Sequence, residues 1–297
     1  MTPTVAQPMF KPDPSLELRG SAYGYPREFL GNRFVYAVVS PRAGGLSVGI
    51  NMNPDKHCNF DCEYCEVNRL APSHEKLLDV DVMADELQHT IALAESGNLR
   101  NFPYYRNIPS ELLRLQHVAL SGDGEPTLCP NFLDAIQAVV HVRATGRFPF
   151  FKIVLITNAT ALDMHDVQNG LKLFTSKDEI WAKLDAGTQA YMDNVNHPNC
   201  SLEKILSNIL LTARQRSVII QSLFPMINHQ EPTTEEIEQY AHRLRDLKDA
   251  GAQIPLVQIY SATRPMAHPG SGHLPLKTLT YIARRVREIS GLPASVF

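Results

Sequence analysis

Short apolar stretches rich in β-branched residues recur along the chain and alternate with stretches of helical periodicity. Residues 32–51 alternate apolar and polar positions on both sides of a Pro/Gly turn, which predicts two strands joined by that turn. Continuous apolar runs predict five further buried strands, at 117–122, 152–157, 179–185, 217–224 and 255–260.

Helices are predicted between these strands, and two of them are well marked. One begins where Thr233 and Glu236 form a capping box and stops before Gly251, and its apolar stripe is Ile237, Tyr240, Ala241, Leu244 and Leu247. The other stops at Gly291 and has the stripe Leu276, Leu279, Ile282, Ala283, Val286 and Ile289. A strand is thus followed by a helix about six times, with residues 46–51 as the first strand.

Serial strand–helix units predict an α/β fold in which helices cover a parallel sheet, either open and doubly wound or curved and barrel-like. In both architectures, functional side chains lie at the carboxyl ends of the strands. Polar residues follow each of the six strands, which predicts one shared pocket. We expect a leader and edge segment with short β structure over residues 1–45, followed by one domain over 46–297.

The composition is that of a globular protein: 297 residues, of which 44% are apolar and 20% charged. No run reaches the roughly 18 apolar residues of a membrane span, and the first residues do not resemble a signal peptide, so we expect a cytoplasmic protein without a membrane partner. The formal charge of −3 argues against a large nucleic-acid interface.

Three of the five cysteines, Cys58, Cys62 and Cys65, lie within eight positions in a C-x3-C-x2-C pattern. Structural zinc needs a fourth ligand, which His57 can supply, and the rival hypothesis is therefore a non-enzymatic zinc- or iron–sulfur-binding module. A disulfide with a spare thiol fits a reducing compartment poorly. A [4Fe–4S] cluster held by three thiolates leaves one iron open to a small molecule, which favours catalysis.

With Tyr64 directly before the last cysteine, the motif resembles the signature of the radical S-adenosylmethionine (radical SAM) enzymes. The resemblance implies a partial (β/α)6 barrel with helices outside and a [4Fe–4S] cluster on Cys58, Cys62 and Cys65. It also implies S-adenosylmethionine chelated at the open iron and cleaved by one electron to a 5′-deoxyadenosyl radical. That radical takes hydrogen from an unidentified substrate, and the electron comes from an external donor such as flavodoxin or ferredoxin.

Residues 121–128 resemble a second landmark of this family, a Gly-Gly-Glu-Pro segment that contacts the methionine amino group. Here Asp123 replaces the first glycine, Gly124 lets backbone approach the ligand, and Glu125 can pair with an ammonium group. Further cofactor contacts implied by the resemblance are Asn158, Lys183 and Asp185. Weaker candidates for substrate or cofactor contact are Gln221, Gln258, Tyr260 and Arg264.

Residues 124–128 and 184–186 resemble the branch that includes the wyosine-type tRNA-modifying enzymes. Those enzymes have further cysteines ahead of the signature, whereas residues 1–57 of this chain have none. Compact activating enzymes for glycyl-radical proteins are the other analogy. We expect Cys129 and Cys200 to be inert, because two isolated cysteines cannot hold another conventional cluster.

Overall fold

The computed structural model describes residues 29–73, 75–262, 266 and 270–297. Leader residues 1–28 and Arg264 lie outside this described part. One sheet has eight strands: β1 Val35–Ser40, β2 Gly45–Asn51, β3 Leu115–Ser121, β4 Lys152–Thr157, β5 Glu179–Lys183, β6 Val218–Leu223, β8 Val257–Tyr260 and β10 Ala294–Val296. They lie in the order β1-β2-β3-β4-β5-β6-β8-β10; β1 is antiparallel to β2, and all other neighbours are parallel. A separate antiparallel pair consists of β7 Met226–Ile227 and β9 Ser271–Gly272.

Each parallel strand from β2 to β8 is followed by a helical connection, so the described chain contains the strand–helix units predicted from the sequence. The helices are α1 Val80–Glu95, α2 Phe132–Ala144, α3 His165–Leu171, α4 Gln189–Asn196, α5 Leu202–Ala213, α6 Thr234–Asp249 and α7 Leu276–Ser290. None of the described helices is both long enough and apolar enough to cross a bilayer. The predicted α/β class with a mostly parallel sheet is confirmed.

Side chains alternate between the two faces of the sheet. Val48 and Ile50 of β2, like Val118 of β3, are fully buried in the main core together with apolar residues of the helices. The residues between them, such as Ser47 and His117, face a cavity on the opposite side, to which none of the seven helices contributes a side chain. The helices therefore cover one face of the sheet, and the other face encloses the cavity.

The curvature of the sheet brings its two ends into contact. The turn between β1 and β2 carries Arg42, whose guanidinium carbon lies 4.1 Å from the ring centroid of Tyr260 at the end of β8. Four strands separate β2 from β8 in the sheet, so a flat sheet could not form this contact. The sheet is thus a partial barrel, as the family resemblance implies.

The described part of the leader, residues 29–45, contributes β1 to this same sheet, and the proposed domain boundary at residue 45 stays a prediction. The outer edge of β1 is capped by side chains. Glu86 of α1 accepts hydrogen bonds from the backbone N–H groups of Phe34 at 2.9 Å and Val35 at 3.1 Å. The Tyr105 hydroxyl donates to the Ala37 carbonyl at 2.6 Å. These contacts satisfy backbone groups that would otherwise pair with another strand.

Two details of the sequence-based helix prediction are wrong. Thr233 caps α6 by accepting from the Glu236 N–H, but the Glu236 carboxylate binds the N–H of Gly187 and the Thr188 hydroxyl instead of completing a capping box. Leu276 is 67% exposed and therefore is not part of the apolar stripe of α7. Glu236 contacts the segment after β5, and Leu276 faces solvent, so the sequence pattern within each helix does not decide the role of either residue.

A buried ion pair provides a test of this packing. Arg143 of α2 donates to both oxygens of Asp178, at 2.7 and 3.1 Å, and the Ile153 N–H donates to the same carboxylate at 2.8 Å. Burial by itself raises the pKa of Asp178, but the hydrogen bonds from Arg143 and from backbone N–H groups outweigh it and leave the pKa below its ordinary value.

We predict that Asp178→Asn lowers the free energy of unfolding by about 3 kcal/mol at neutral pH, because it leaves Arg143 buried without its counter-ion. Since the folded-state pKa of Asp178 is depressed, its stabilisation is present above the unfolded pKa and is lost as pH falls through the folded pKa. Urea unfolding at several pH values measures both effects. Asp246→Asn, at a carboxylate that is 60% exposed, is the control, and equal losses in the two variants at neutral pH would contradict the prediction.

Candidate functional site

The cysteine loop follows β2 and is held by backbone hydrogen bonds to the end of α4. The N–H of Asp61 donates to the Asn196 carbonyl at 3.0 Å, and the N–H of Glu63 donates to the Val195 carbonyl at 2.8 Å. The Cys65 N–H donates to the Cys62 carbonyl at 2.9 Å, which forms a tight turn between these two cysteines. All three cysteines of the motif are half-buried, free of disulfides, and line the cavity inside the sheet.

The chemistry of this donor set fits an iron–sulfur cluster. Burial raises the pKa of Cys58 and raises that of Cys62 to about 12, so a bound metal is needed to keep these sulfurs as thiolates. Within the described ranges, no three His, Cys, Asp or Glu side chains are placed to hold a single metal ion, and His57 is exposed. In a cubane cluster each cysteine binds a different iron, so its sulfurs need not converge on one point.

Glu125 follows β3 and is buried, with hydrogen bonds to both carboxylate oxygens. Oε1 accepts from the Thr127 N–H at 3.1 Å and from the hydroxyls of Thr127 at 2.6 Å and Thr157 at 2.5 Å. Oε2 accepts from the Asn158 N–H at 2.6 Å. Burial raises the pKa of Glu125, and these donors oppose that shift. The carboxylate thus joins the loops after β3 and β4, and its expected contact with an ammonium group of the ligand stays a prediction.

Gly124 lies against the backbone of the cysteine loop. A Cβ at this position would lie 1.9 Å from the carbonyl oxygen of His57, and the Glu125 N–H donates to that same oxygen at 3.0 Å. A side chain here would therefore displace the cysteine loop. Asp123 is buried next to the end of β2, where its Oδ2 accepts from the Asn51 side-chain amide at 3.0 Å.

Asn158 connects the loop after β4 to the cysteine loop. Its Nδ2 donates to Oδ1 of Asn59 at 2.8 Å, and its Oδ1 accepts from the N–H and hydroxyl of Thr160 at 3.0 and 2.7 Å. Asn158 also lines the cavity. The structure therefore gives this residue a role in supporting Cys58 and its neighbours.

A second network joins Cys62 to the end of β5. The Tyr64 hydroxyl donates to Oδ2 of Asp185, and the Asn196 amide donates to the same oxygen at 3.0 Å and to Sγ of Cys62 at 3.4 Å. The Leu223 N–H donates to Oδ1 of Asp185 at 2.8 Å. Asn196 was missed in the sequence, because it lies in α4, far along the chain from the cysteines that it contacts.

Lys183 extends this network into the cavity. Its Nζ lies 3.4 Å from Oδ1 of Asp185 and donates to the Tyr260 hydroxyl at 3.2 Å. Burial opposes the charge of Lys183, but the Asp185 carboxylate raises the pKa of this amine, so Lys183 is protonated. The ammonium group also lies 4.9 Å from the ring centroid of Tyr64.

The cavity has a volume of about 710 Å³, within the usual range of small-molecule sites. Its lining includes nine of the ten predicted site residues, Cys58, Cys62, Tyr64, Cys65, Asp123, Gly124, Glu125, Asn158 and Lys183, whereas Asp185 lies behind them. Gln221 and Tyr260 also line it, and Gln258 hydrogen-bonds to Gln221 at 3.1 Å. Cys129 and Cys200 pack with the main core and do not line the cavity.

Away from the cysteines, the cavity is lined by residues that the sequence did not single out, among them Tyr36, Arg42, Trp181 and Phe297. The ring of Tyr36 occupies the space over Gly49, where a Cβ would lie 2.3 Å from that ring. The alternation of side chains along each strand could have identified Tyr36 and Trp181, because both occupy positions that face away from the helices.

Comparison with known proteins gives partial relatives. No family model matches the chain. It is 28% identical over 183 residues to a UPF0026 protein of Helicobacter pylori, covering 59% of this chain and 50% of that protein. It is 31% identical over 164 residues to the GTP 3′,8-cyclase of Synechocystis sp., covering 53% of this chain and 39% of the cyclase. The chain spans about half the length of the UPF0026 protein.

Two solved structures share the architecture. TYW1 with a lysine–pyruvate adduct bound matches with a TM-score of 0.53 and 16% identity, over 84% of this chain and 74% of that one. SuiB of Streptococcus suis bound to S-adenosylmethionine matches with a TM-score of 0.56 and 11% identity, over 82% of this chain and 49% of that one. This chain therefore shares its fold with both structures, of which SuiB contains bound S-adenosylmethionine.

Proposed function

We propose that the chain is a radical SAM enzyme in which Cys58, Cys62 and Cys65 hold a [4Fe–4S] cluster with one iron open to S-adenosylmethionine. The observation that carries this proposal is the position of the cysteine loop: it forms one end of a cavity enclosed by a sheet of the radical SAM fold. When bound, the cluster and S-adenosylmethionine supply a 5′-deoxyadenosyl radical that takes hydrogen from the substrate.

The protein's own residues hold the cysteine loop and exclude water from the cavity. Tyr64, Asp123, Gly124, Asn158 and Lys183 are the proposed surroundings of the cofactor, because they line the cavity on the cysteine side. Glu125, which also lines the cavity, and Asp185, which lies behind the lining, act through their hydrogen bonds to the loops. Their carboxylates position the loops on which the cluster and cofactor would sit.

The size of the cavity favours a small molecule, or one group inserted from a larger one, as substrate. The likeness to TYW1 keeps tRNA-base modification as a proposed reaction, and glycyl-radical activation is the other; an external donor such as flavodoxin or ferredoxin would supply the electron. The rival zinc module needs His57 as its fourth ligand, and the exposure of His57 argues against it.

We predict that anaerobic reconstitution followed by dithionite reduction yields 5′-deoxyadenosine and methionine from S-adenosylmethionine. Chromatography of the quenched reaction measures both products, and protein without iron is the control. If protein with a complete cluster forms neither product, that result would contradict the catalytic proposal.

The ligand assignment predicts that Cys62→Ala removes most of the iron, whereas Cys200→Ala retains it, because Cys62 lines the cavity and Cys200 does not. Iron and sulfide analysis after reconstitution compares the two variants. Equal iron content in both would refute the assignment.

Gly124→Ala tests whether the loop after β3 positions the cysteines. The added methyl group would meet the His57 carbonyl oxygen at 1.9 Å, and overpacking of this kind costs about 1–3 kcal/mol. We expect a lower melting temperature and less iron per chain. Gly272→Ala is the control, because its Cβ would meet the nearest side-chain atom at 3.8 Å; matching values for the two variants would contradict the prediction.

A further inference from the structure

Among the described residues that line the cavity, Arg42 is a cation without an ion-pair partner. Arg42 is half-buried and lines the cavity, and its Nε is buried without a hydrogen-bond partner in the described structure. No carboxylate of the described residues forms an ion pair with it. Its one close polar contact is the stacking of the guanidinium on the ring of Tyr260, at 4.1 Å. A buried donor without a partner is costly, and an anion that accepts from this guanidinium would satisfy it.

The charges that line the rest of the cavity support this reading. Lys183 lies beside the same tyrosine, with its Nζ 3.2 Å from the Tyr260 hydroxyl, and is protonated. Burial and the charge of Lys152 lower the pKa of His117 to about 3, so this cavity-lining histidine is neutral at physiological pH. Around Tyr260, Arg42 is therefore the cation without a carboxylate partner, since Lys183 is paired with Asp185.

The acidic side chains that line the cavity belong to the loops at the cysteine end. They are Glu66, Asp123 and Glu125, and the last of these already accepts four hydrogen bonds. A further cation, Arg69, lines the cavity beside Cys58 and Cys65, whereas Arg42 and Lys183 both contact Tyr260.

Several aromatic side chains provide flat surfaces in the cavity. Tyr36, Trp181, Tyr260 and Phe297 all line the cavity, and Trp181 is itself packed edge-on against His117 with ring centroids 5.3 Å apart. Aromatic faces of this kind pack well against a planar ligand. A guanidinium binds a carboxylate or phosphate through two parallel hydrogen bonds.

We propose that Arg42 is a substrate-binding residue, and that the substrate is a small molecule with a planar body and an anionic group, carboxylate or phosphate, which binds between Arg42 and Lys183. That the bound molecule is a substrate rests on the proposed function, whereas the presence of an anion site does not. With the anionic group held there, the rest of the molecule would lie in the same cavity as the cysteine loop, where hydrogen would be removed.

Trp181 provides a direct readout, because it is the one tryptophan among the 297 residues and lines this cavity. The probes are benzoate and phenyl phosphate, with benzyl alcohol as the neutral match, titrated into the full-length protein while tryptophan fluorescence is recorded. We expect saturable binding of at least one anion, at least about tenfold tighter than that of benzyl alcohol. Preference for phenyl phosphate or for benzoate identifies the anionic group.

Arg42→Gln should weaken binding of the preferred anion by about tenfold or more, and Arg42→Lys should weaken it less, because it keeps the charge but not the two-pronged geometry. Arg245→Gln, on the exposed side of α6, should bind as the wild type does. The preferred anion should also raise the melting temperature of the wild type, a result that does not depend on any variant folding. No saturable binding, equal affinity for benzyl alcohol, or unchanged affinity in Arg42→Gln would each overturn the inference.

The two proposals fail separately. Anion binding that depends on Arg42 in a protein that never cleaves S-adenosylmethionine would refute the proposed function and leave the anion site standing. Cleavage of S-adenosylmethionine without anion binding would refute the anion site and leave the proposed function standing.

Discussion

The buried carboxylate of Glu125 is the interaction on which the site depends most. Its four hydrogen bonds join the loops after β3 and β4, and these loops in turn hold the cysteine loop: the Glu125 N–H binds the His57 carbonyl, and Asn158 binds Asn59. Donors to both oxygens reduce the cost of burying this carboxylate. The position of the three cysteines is therefore determined by a residue that the motif itself does not contain.

Asp185 supports the cysteine loop in the same way, on the side of Cys62. It accepts from Tyr64 and Asn196, next to Cys62, and it holds Lys183 in the cavity as a cation. One continuous set of contacts then leads from Cys62 through Asp185 and Lys183 to Tyr260, on which Arg42 stacks. The cavity consequently contains both the cysteines, suited to a cluster, and two cations in contact with Tyr260, suited to an anion.

Local pattern was sufficient for much of the fold. β4 begins and ends where its apolar run does, and the cap and stop of α6 lie at Thr233 and Gly251. The pattern was insufficient where contacts join distant parts of the chain: Glu236 leaves its own helix to bind Gly187, Asn196 reaches Cys62, and Arg42 meets Tyr260 across four strands. At the site, residue type and spacing indicated the cysteines and the strand ends, but whether Glu125 faces a ligand or its own backbone neighbours is decided by three-dimensional packing.

Electron–nuclear double resonance of the reduced protein, with S-adenosylmethionine labelled in its amino nitrogen and carboxylate carbon, tests most directly whether three cysteines leave one iron open. We predict magnetic coupling of both labelled atoms to the cluster, because both groups would bind that iron. A complete cluster with no coupling to either label, and with a protein side chain bound to the fourth iron, would contradict the assignment of Cys58, Cys62 and Cys65 as a three-thiolate site.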